Sequence, residues 1–592
     1  MVVKQNIIDV EQPQLYEKWF DYSKVPLIEF EDRHVAMHRP EKIWITDTTF
    51  RDGQQARPPY EVDHVVKLFS FLGKLSGKNG VIRTSEFFLY SARDRKAVEK
   101  CMELNLPFPI ITSWIRAVEE DFKLVKSIGL KETGILTSVS DYHIFLKLKS
   151  TRTKVAEKYL RIIDAALEEG IIPRCHFEDI TRADFHGFVI PFAQMLMERS
   201  KQAGIPIKIR ACDTMGYGIP YANAVLPRSI PKIFEALHLE AGVPHENLEW
   251  HGHNDFHKGL INGTTAWLYH CSAVNGTLLG WGERTGNTPI EGLIMDYIAL
   301  NGGDPDLLGI DTQFITRIGK FYHDELGDHI PENYPFIGKY FNTTRAGIHA
   351  DGAIKDERIY NIFDTGKLLN RPLTVSITDK SGTAGIAFWI NSYFSLEGTE
   401  RIDKTHPGVQ KIYNWVLTEY EGDRMSSIST VELEQQTKIY LPELFHSDLD
   451  GLKRRGQKAA LSLLENLVDN NPEIRDLDIR AIEPILKGFM ESGTFAKLIY
   501  VVDTNGNMLT DFICHPEDYE KYKEKLDLVN FSDRDWFLQA METRKTYVSE
   551  FYVSRIVDQL CITVSKPIIN NENEIIGILG LDVNFDNLIK WA

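Results

Sequence analysis

Between residue 41 and about residue 290 one pattern recurs eight times: a short apolar run breaks into polar or glycine-containing residues, and an amphipathic stretch follows. The runs are Lys42–Thr46, Gly80–Arg83, Phe108–Ile111, Thr133–Leu136, Ile171–Arg174, Ile207–Arg210, Asn247–Trp250 and Ala273–Leu278. Short apolar runs separated by helical stretches are the signature of a parallel sheet covered by helices. Val155–Leu167 is one such stretch. It places Tyr159, Ile162, Ile163 and Leu167 on one stripe and stops before Glu168, Glu169 and Gly170. Eight units over about 250 residues match the size of a (β/α)₈ barrel. A doubly wound open sheet shares the grammar, but the strand count and the even spread of polar residues over all eight strand ends favour the barrel. Barrel chemistry sits at the C-terminal strand ends, which here carry Asp, Glu, His, Arg, Ser and Thr.

With 592 residues the chain exceeds what one core supports. The expected organisation is an extension (1–40), the barrel (41–325), a segment of loops and short elements (326–400), a mainly helical region (401–484) and a last domain (485–592). Lys458–Val468 is an expected helix that stops at Asn470-Asn471-Pro472. The last domain reads as α+β: a strand Lys497–Asp503, a turn Thr504–Gly506, and a helix Asp533–Thr543 with Ser532 as its N-cap. Three antiparallel strands follow, Thr546–Ser554, Gln559–Ile568 and Glu574–Val583, with a polar turn at Ile569–Asn573.

Charge narrows the partners. Lys and Arg number 67 against 84 Asp and Glu, a net of −17, which makes a poor generic ligand for nucleic acid or an anionic membrane. An anionic substrate must therefore be met locally, by a metal or a few placed cations. Six cysteines with no CxxC suggest no disulfide framework and a cytoplasmic compartment. The opening MVVKQNIIDVEQPQ has no apolar core of a secretory signal, and no run approaches the roughly 18 apolar residues of a membrane span.

Two motifs carry the chemistry. Asp47-Thr48-Thr49-Phe50-Arg51-Asp52-Gly53-Gln54-Gln55 ends the first strand, and His251-Gly252-His253-Asn254-Asp255 ends the seventh. Residues two apart on a strand point the same way, so His251 and His253 can aim both imidazoles into the barrel mouth while Gly252 leaves room on the other face. Two imidazoles and one carboxylate, for which Asp52 is the natural choice, leave open positions on a divalent cation. Arg51 beside it offers a fork of donors to a substrate oxygen or carboxylate. An HxH alone describes two hydrogen-bonded surface histidines equally well.

The DTTFRDG motif, the HGHND strand end and Gly280-Trp281-Gly282-Glu283-Arg284-Thr285-Gly286-Asn287 together resemble the DRE-TIM metallolyases. Within them the chain is similar, over about residues 41–400, to the Claisen-condensing synthases of isopropylmalate, homocitrate, citramalate and (Re)-citrate. The resemblance implies a divalent metal (Mn, Mg, Co or Zn) on Asp52, His251 and His253, with Asn287 at or near it. It implies acetyl-CoA and a 2-oxo acid as substrates, with Arg51, Gln55, His143 and Thr214 as binding residues. Arg51, Glu178, His349 and Tyr360 are the implied catalytic residues, His349 and Tyr360 coming from the segment after the barrel. A homodimer is expected on the same ground. Gln54 stands where many relatives have Glu, and both SEFFLYSARDR and KYFNTTRAGIHADG depart from the isopropylmalate pattern. These departures and the extension point to the (Re)-citrate branch with oxaloacetate as acceptor. 2-Oxoisovalerate and 2-oxoglutarate remain alternatives, as does a non-catalytic sensor on a barrel scaffold. Arg83 is one candidate for a second acceptor carboxylate, and could equally face a helix.

Residues 485–592 resemble a Cache domain, a PAS-like sensor of small molecules, through Phe531–Phe537, Tyr547–Ser554, Cys561–Ile568 and Ile575–Asp582. That implies an effector site at Arg534, Trp536, Tyr552 and Asp582, and allosteric control by a small acid or amino acid. The fold expectation is thus a TIM barrel, a mostly helical joining region and a PAS-like α+β domain.

Overall fold

The computed structural model describes residues 3–584 apart from 397, 422–423, 425, 446–447, 470, 475–476, 492–495, 512, 516–517, 520–529, 551, 555–559 and 571–573. Residues 571–573 of the turn expected at Ile569–Asn573 and residue 551 of the strand expected at Thr546–Ser554 lie outside the described residues; Ile569 ends a strand, and Asn570 N donates to Glu574 O at 3.0 Å across the turn. The chain divides into two compact units, residues 1–342 with 363–372, and residues 343–362 with 373–592.

The first unit is a closed parallel barrel of eight strands in sequence order. They are β1 (Trp44–Asp47), β2 (Ile82–Phe87), β3 (Ile110–Ile115), β4 (Glu132–Ser138), β5 (Ile172–Glu178), β6 (Lys208–Asp213), β7 (Leu248–Gly252) and β8 (Ala273–Gly276). The helix Arg152–Glu168 covers the stripe expected from its sequence and buries Tyr159, Ile162, Ile163 and Leu167. Six strands begin later and run further than the apolar runs predict, β4 begins one residue earlier and also runs further, and β8 stops two residues short, so that Ser85, Glu86, Glu178, Asp213 and His251 lie within strands. The reason is in the pore. Glu86 on β2 bonds Arg174 on β5 (2.6 Å) and Arg210 on β6 (3.1 Å), contacts between distant strands that only the inside of a closed barrel allows. Arg210 also bonds Glu249 on β7 at 2.8 and 2.9 Å. Charged residues that pair with one another across the pore continue a buried strand, whereas unpaired ones would end it.

The extension is tied along the barrel. Ile8 N donates to Gly187 O (2.9 Å), Gln14 N to Asp141 (2.7 Å) and Tyr142 Oη to Leu15 O (2.7 Å), and His38 bridges Tyr269.

In the second unit, β9 (Thr343–Thr344) pairs in parallel with β10 (Thr374–Val375). Helices Gly347–Lys355, Gly382–Tyr393, Pro407–Glu421 and Thr430–Tyr440 share a core that includes Ala350, Ile386, Val409, Ile412 and Leu433. Beyond them lies an antiparallel sheet of β11 (Leu498–Val502), β12 (Ile513–Cys514), β13 (Tyr547–Val548), β14 (Tyr552–Val553), β15 (Leu560–Ile569) and β16 (Ile575–Asn584). Its two faces alternate strictly, as strand geometry requires. Ile499, Val501, Ile562, Val564, Leu579 and Leu581 pack with Leu464, Ile482 and Leu486 of the helices Asp448–Asp469 and Ile479–Glu491. Tyr500, Val502, Cys561 and Ile578 face Phe531, Trp536 and Phe537. The helix beside this face starts at Asp535, two residues after the expected start, and Ser532 does not cap it. The Ser532 hydroxyl donates instead to Asn530 Oδ1 at 2.5 Å. All six cysteines are buried and unpaired. Among the described residues no helix is long and apolar enough to cross a membrane.

Candidate active site at the barrel mouth

The turn after β1 is pinned from both sides: Thr48 N donates to Gly276 O on β8 (2.9 Å), and Ser85 Oγ on β2 donates to Asp47 (2.5 Å). Burial pushes the Asp47 carboxyl up to about 6. This turn delivers Arg51 and Asp52 to the strand ends. Arg51 Nε donates to Glu86 Oε1 at 2.9 Å, and Thr48 Oγ1 donates to the same oxygen at 3.1 Å. The fork of Arg51 is thereby oriented, with Nη1 3.7 Å from Asp52 Oδ2. Burial alone would raise the Glu86 carboxyl, but Arg210, Arg51 and Arg174 hold it well below the usual carboxylate range.

Asp52, His251 and His253 are all buried, and one ligand atom from each lies within 4.8 Å of the others. His251 Nε2 stands 3.2 Å from Asp52 Oδ2 and 3.3 Å from His253 Nε2. Gly252 is needed between the two histidines, because a Cβ there would stand 2.7 Å from Trp250 Nε1. Against the effect of burial, the Arg51 guanidinium and the two imidazoles hold the Asp52 carboxyl far below its usual range. Burial and the neighbouring His251 push His253 down to about 4, so its imidazole is neutral near pH 7. The tautomer of His251 is set from behind. Asn275 Nδ2 donates to Thr46 Oγ1 (2.9 Å), which turns Asn275 Oδ1 toward His251 Nδ1 at 2.8 Å. Nδ1 therefore carries a hydrogen, and Nε2 is the nitrogen that faces Asp52 and His253.

Asn287 is presented by the loop after β8. Asn287 N donates to Gly280 O (2.8 Å), and Gly286 has φ 91° with no room for a Cβ, which would stand 2.1 Å from Gly280 O. His253 forms a bridge with Asn287, and His253 Nδ1 and Asn287 Oδ1 are both buried without a hydrogen-bond partner. Two imidazoles, an ionised carboxylate and these orphaned polar atoms fit a divalent cation.

The other expected residues are spread over both units. His143 Nδ1 lies 3.0 Å from Glu178, which also accepts from Ser138 Oγ. Burial would raise Glu178, but His143 and Ser138 bring it down to about 2. Thr214 Oγ1 accepts from Asp179 N at 2.8 Å, and Gln55 is exposed on the turn Gly53–Ala56. His349 and Tyr360 belong to the second unit, where their ring centroids are 4.4 Å apart. Arg83 stacks on Trp44 at 4.3 Å, with Tyr297 of helix Ile290–Leu300 as its electrostatic neighbour, so it faces the helix side. In the C-terminal sheet Thr563 Oγ1 (2.6 Å) and Tyr500 Oη (3.0 Å) donate to Asp582. Tyr552 Oη meets Thr563 at 2.5 Å, the Arg534 guanidinium lies 5.4 Å from the Tyr552 ring centre, and Trp536 is buried alongside. Sequence reasoning missed Glu86, Asn275, Arg174, Arg210 and Glu249. Their signal was present: charged or amide residues inside strands otherwise too apolar to tolerate them.

The HMGL-like family matches residues 42–321, and the first PDC sensor domain of methyl-accepting chemotaxis protein-like proteins matches residues 482–590. The chain is 52% identical over 582 residues to citrate (Re)-synthase of Syntrophus aciditrophicus, covering 98% of this chain and 92% of that one. It is 49% identical over 436 residues to citrate (Re)-synthase of Clostridium kluyveri, covering 74% and 96%. It is 34% identical over 429 residues to 2-phosphinomethylmalate synthase of Streptomyces hygroscopicus, covering 72% and 96%.

Proposed function

The chain belongs to the citrate (Re)-synthase family, and from that premise we propose that its barrel condenses acetyl-CoA with oxaloacetate to form citrate and free CoA. The observation that carries the reading is the convergence of Asp52, His251 and His253 beside a clamped Arg51 at one end of a closed barrel. A divalent cation on these three residues, with Asn287 next to them, supplies a Lewis acid for the 2-oxo group when bound. Arg51, held by Glu86, keeps its remaining N–H donors for the acceptor's oxygens. Gln55, His143 and Thr214 are assigned to acceptor binding. His349, paired with Tyr360, is assigned to taking a proton from the methyl group of acetyl-CoA, and Glu178 to proton handling at the acceptor. The resulting enolate carbon attacks the polarised carbonyl carbon. As the C–C bond forms, the carbonyl π pair moves to its oxygen, which takes up a proton to become a tertiary hydroxyl; water then cleaves the thioester, its OH passing to the acyl carbon and its H to the sulfur of the released CoA.

His253→Ala is expected to abolish acetyl-CoA-dependent thiol release with oxaloacetate, while retained turnover would overturn the site. A panel of oxaloacetate, 2-oxoglutarate and 2-oxoisovalerate, with product stereochemistry, decides the acceptor. Reconstitution with Mn, Mg, Co or Zn identifies the metal.

The C-terminal domain is assigned to sensing a small acid or amino acid at Arg534, Trp536, Tyr552 and Asp582. In this reading residues 41–325 carry the catalytic barrel and 485–592 the sensor. Residues 326–400 and 401–484 join them after the extension 1–40. A cytoplasmic homodimer is the expected working state, which light scattering checks.

A further inference from the structure

A second histidine cluster lies at the opposite end of β7 from His251 and His253. His245 sits on the turn His245–Asn247 that enters β7, and His270 on the segment that enters β8. His38 comes from the extension and is fastened there: His38 N donates to Leu268 O (3.0 Å), and His270 N donates to His38 O (2.8 Å). One ring nitrogen from each of the three lies within 4.8 Å of the others.

The ring geometry rules out a single stacked column. The three ring centroids form a triangle with sides of 4.6, 5.3 and 5.3 Å, and the ring planes differ by only 15°, 18° and 4°. Three rings in a stacked column would put the outer pair at twice the spacing of the inner pairs, so these rings are not a column. What converges is one ring nitrogen from each of His38, His245 and His270. A fourth ring, His238, stacks on His245 at 3.9 Å.

Protonation also favours ligation. His245 Nδ1 lies 2.9 Å from His270 O and His238 Nδ1 lies 2.8 Å from Val243 O. A carbonyl only accepts, so Nδ1 carries a hydrogen in each, which leaves Nε2 as the nitrogen open to a ligand. This is the way backbone carbonyls orient metal-binding imidazoles. His270 is 7% exposed, and its Nδ1 is buried with no hydrogen-bond partner. Such an orphan in a buried ring needs an explanation, and a ligand supplies one.

We propose that His38, His245 and His270 form a second divalent-metal site, which clasps the N-terminal extension to the segments entering β7 and β8. Three imidazole ligands without a carboxylate select zinc or a neighbouring late transition metal over magnesium or calcium. A side-chain adjustment of about an ångström brings the three nitrogens to the roughly 2.0–2.1 Å bonds that zinc makes with histidine. The site is separate from the mouth, because its ligands enter at the strand starts rather than the strand ends.

The test is zinc content per full-length chain after chelation, incubation with Zn²⁺ alone and dialysis. The native chain is expected to hold two equivalents, His253→Ala one, His38→Ala one, and the double variant none. Zinc is also expected to raise the melting temperature of His253→Ala and to leave the His38→Ala/His253→Ala double variant unmoved. His270→Asn repeats the loss from a buried position, and His38, being exposed, is replaced without disturbing the core. Equal zinc content in the native chain and His38→Ala, or no zinc on His253→Ala, would overturn the proposal.

Discussion

Asn275 touches no substrate, yet it decides which nitrogen of His251 faces the metal position. Removing a group that orients a metal-bound imidazole typically weakens metal binding by about 10–100-fold. Asn275→Ala is therefore expected to raise the metal Kd by roughly that factor while the far-ultraviolet circular dichroism stays native. An unchanged Kd would show that Asn275 only fills space. Glu86 carries a different burden. It faces Arg51, Arg174 and Arg210 together in the pore. Glu86→Ala leaves buried guanidinium charge uncompensated and is expected to cost about 3–5 kcal/mol of stability in denaturant unfolding. Both residues could be seen in the sequence, but only as polar letters in apolar strands. Asn275 on β8 meets His251 on β7 and Thr46 on β1, and Glu86 on β2 meets arginines on β5 and β6; these partners are far away along the chain, so no local spacing revealed the contacts.

On β16 the alternation of faces places Asp582 on the sensor side, wholly buried against Thr563 and Tyr500. Burial raises its carboxyl to about 6, against about 3.9 in an unfolded chain. Because the folded value is the higher one, its contribution to stability is complete below about pH 3.9. That contribution is lost as pH rises through about 6. Asp582→Asn keeps an oxygen for both donors and removes the charge. It is expected to stabilise the fold by about 3 kcal/mol at pH 7, at about 1.4 kcal/mol per pKa unit, with the gain vanishing below about pH 4. A gain independent of pH would rule out the buried charge as its cause. The strands of this sheet were legible from period-two alternation. The helix beside them was placed two residues early, because Ser532 looks like a cap and instead bonds Asn530.

At the scale of the whole molecule, a barrel and a sensor sheet have separate cores within two compact units. Amino acids and four- to six-carbon carboxylates, screened by melting temperature on the full chain, are expected to include at least one stabiliser that no longer acts on Asp582→Ala. No shift with any of them would overturn the sensor assignment. The sequence by itself determined the eight strand-helix units, the HxH pair on one strand face and the acidic, cysteine-poor character of the chain, because each follows from local periodicity or from counting. Tertiary structure alone decided which charges meet. Closing the sheet brings β2 against β5 and β6 through the pore, turns Arg83 toward a helix, gathers Asp52 with His251 and His253, and assembles His38, His245 and His270 at the other end. These contacts span from tens to more than two hundred residues, and only a closed barrel converts such separations into ångström distances.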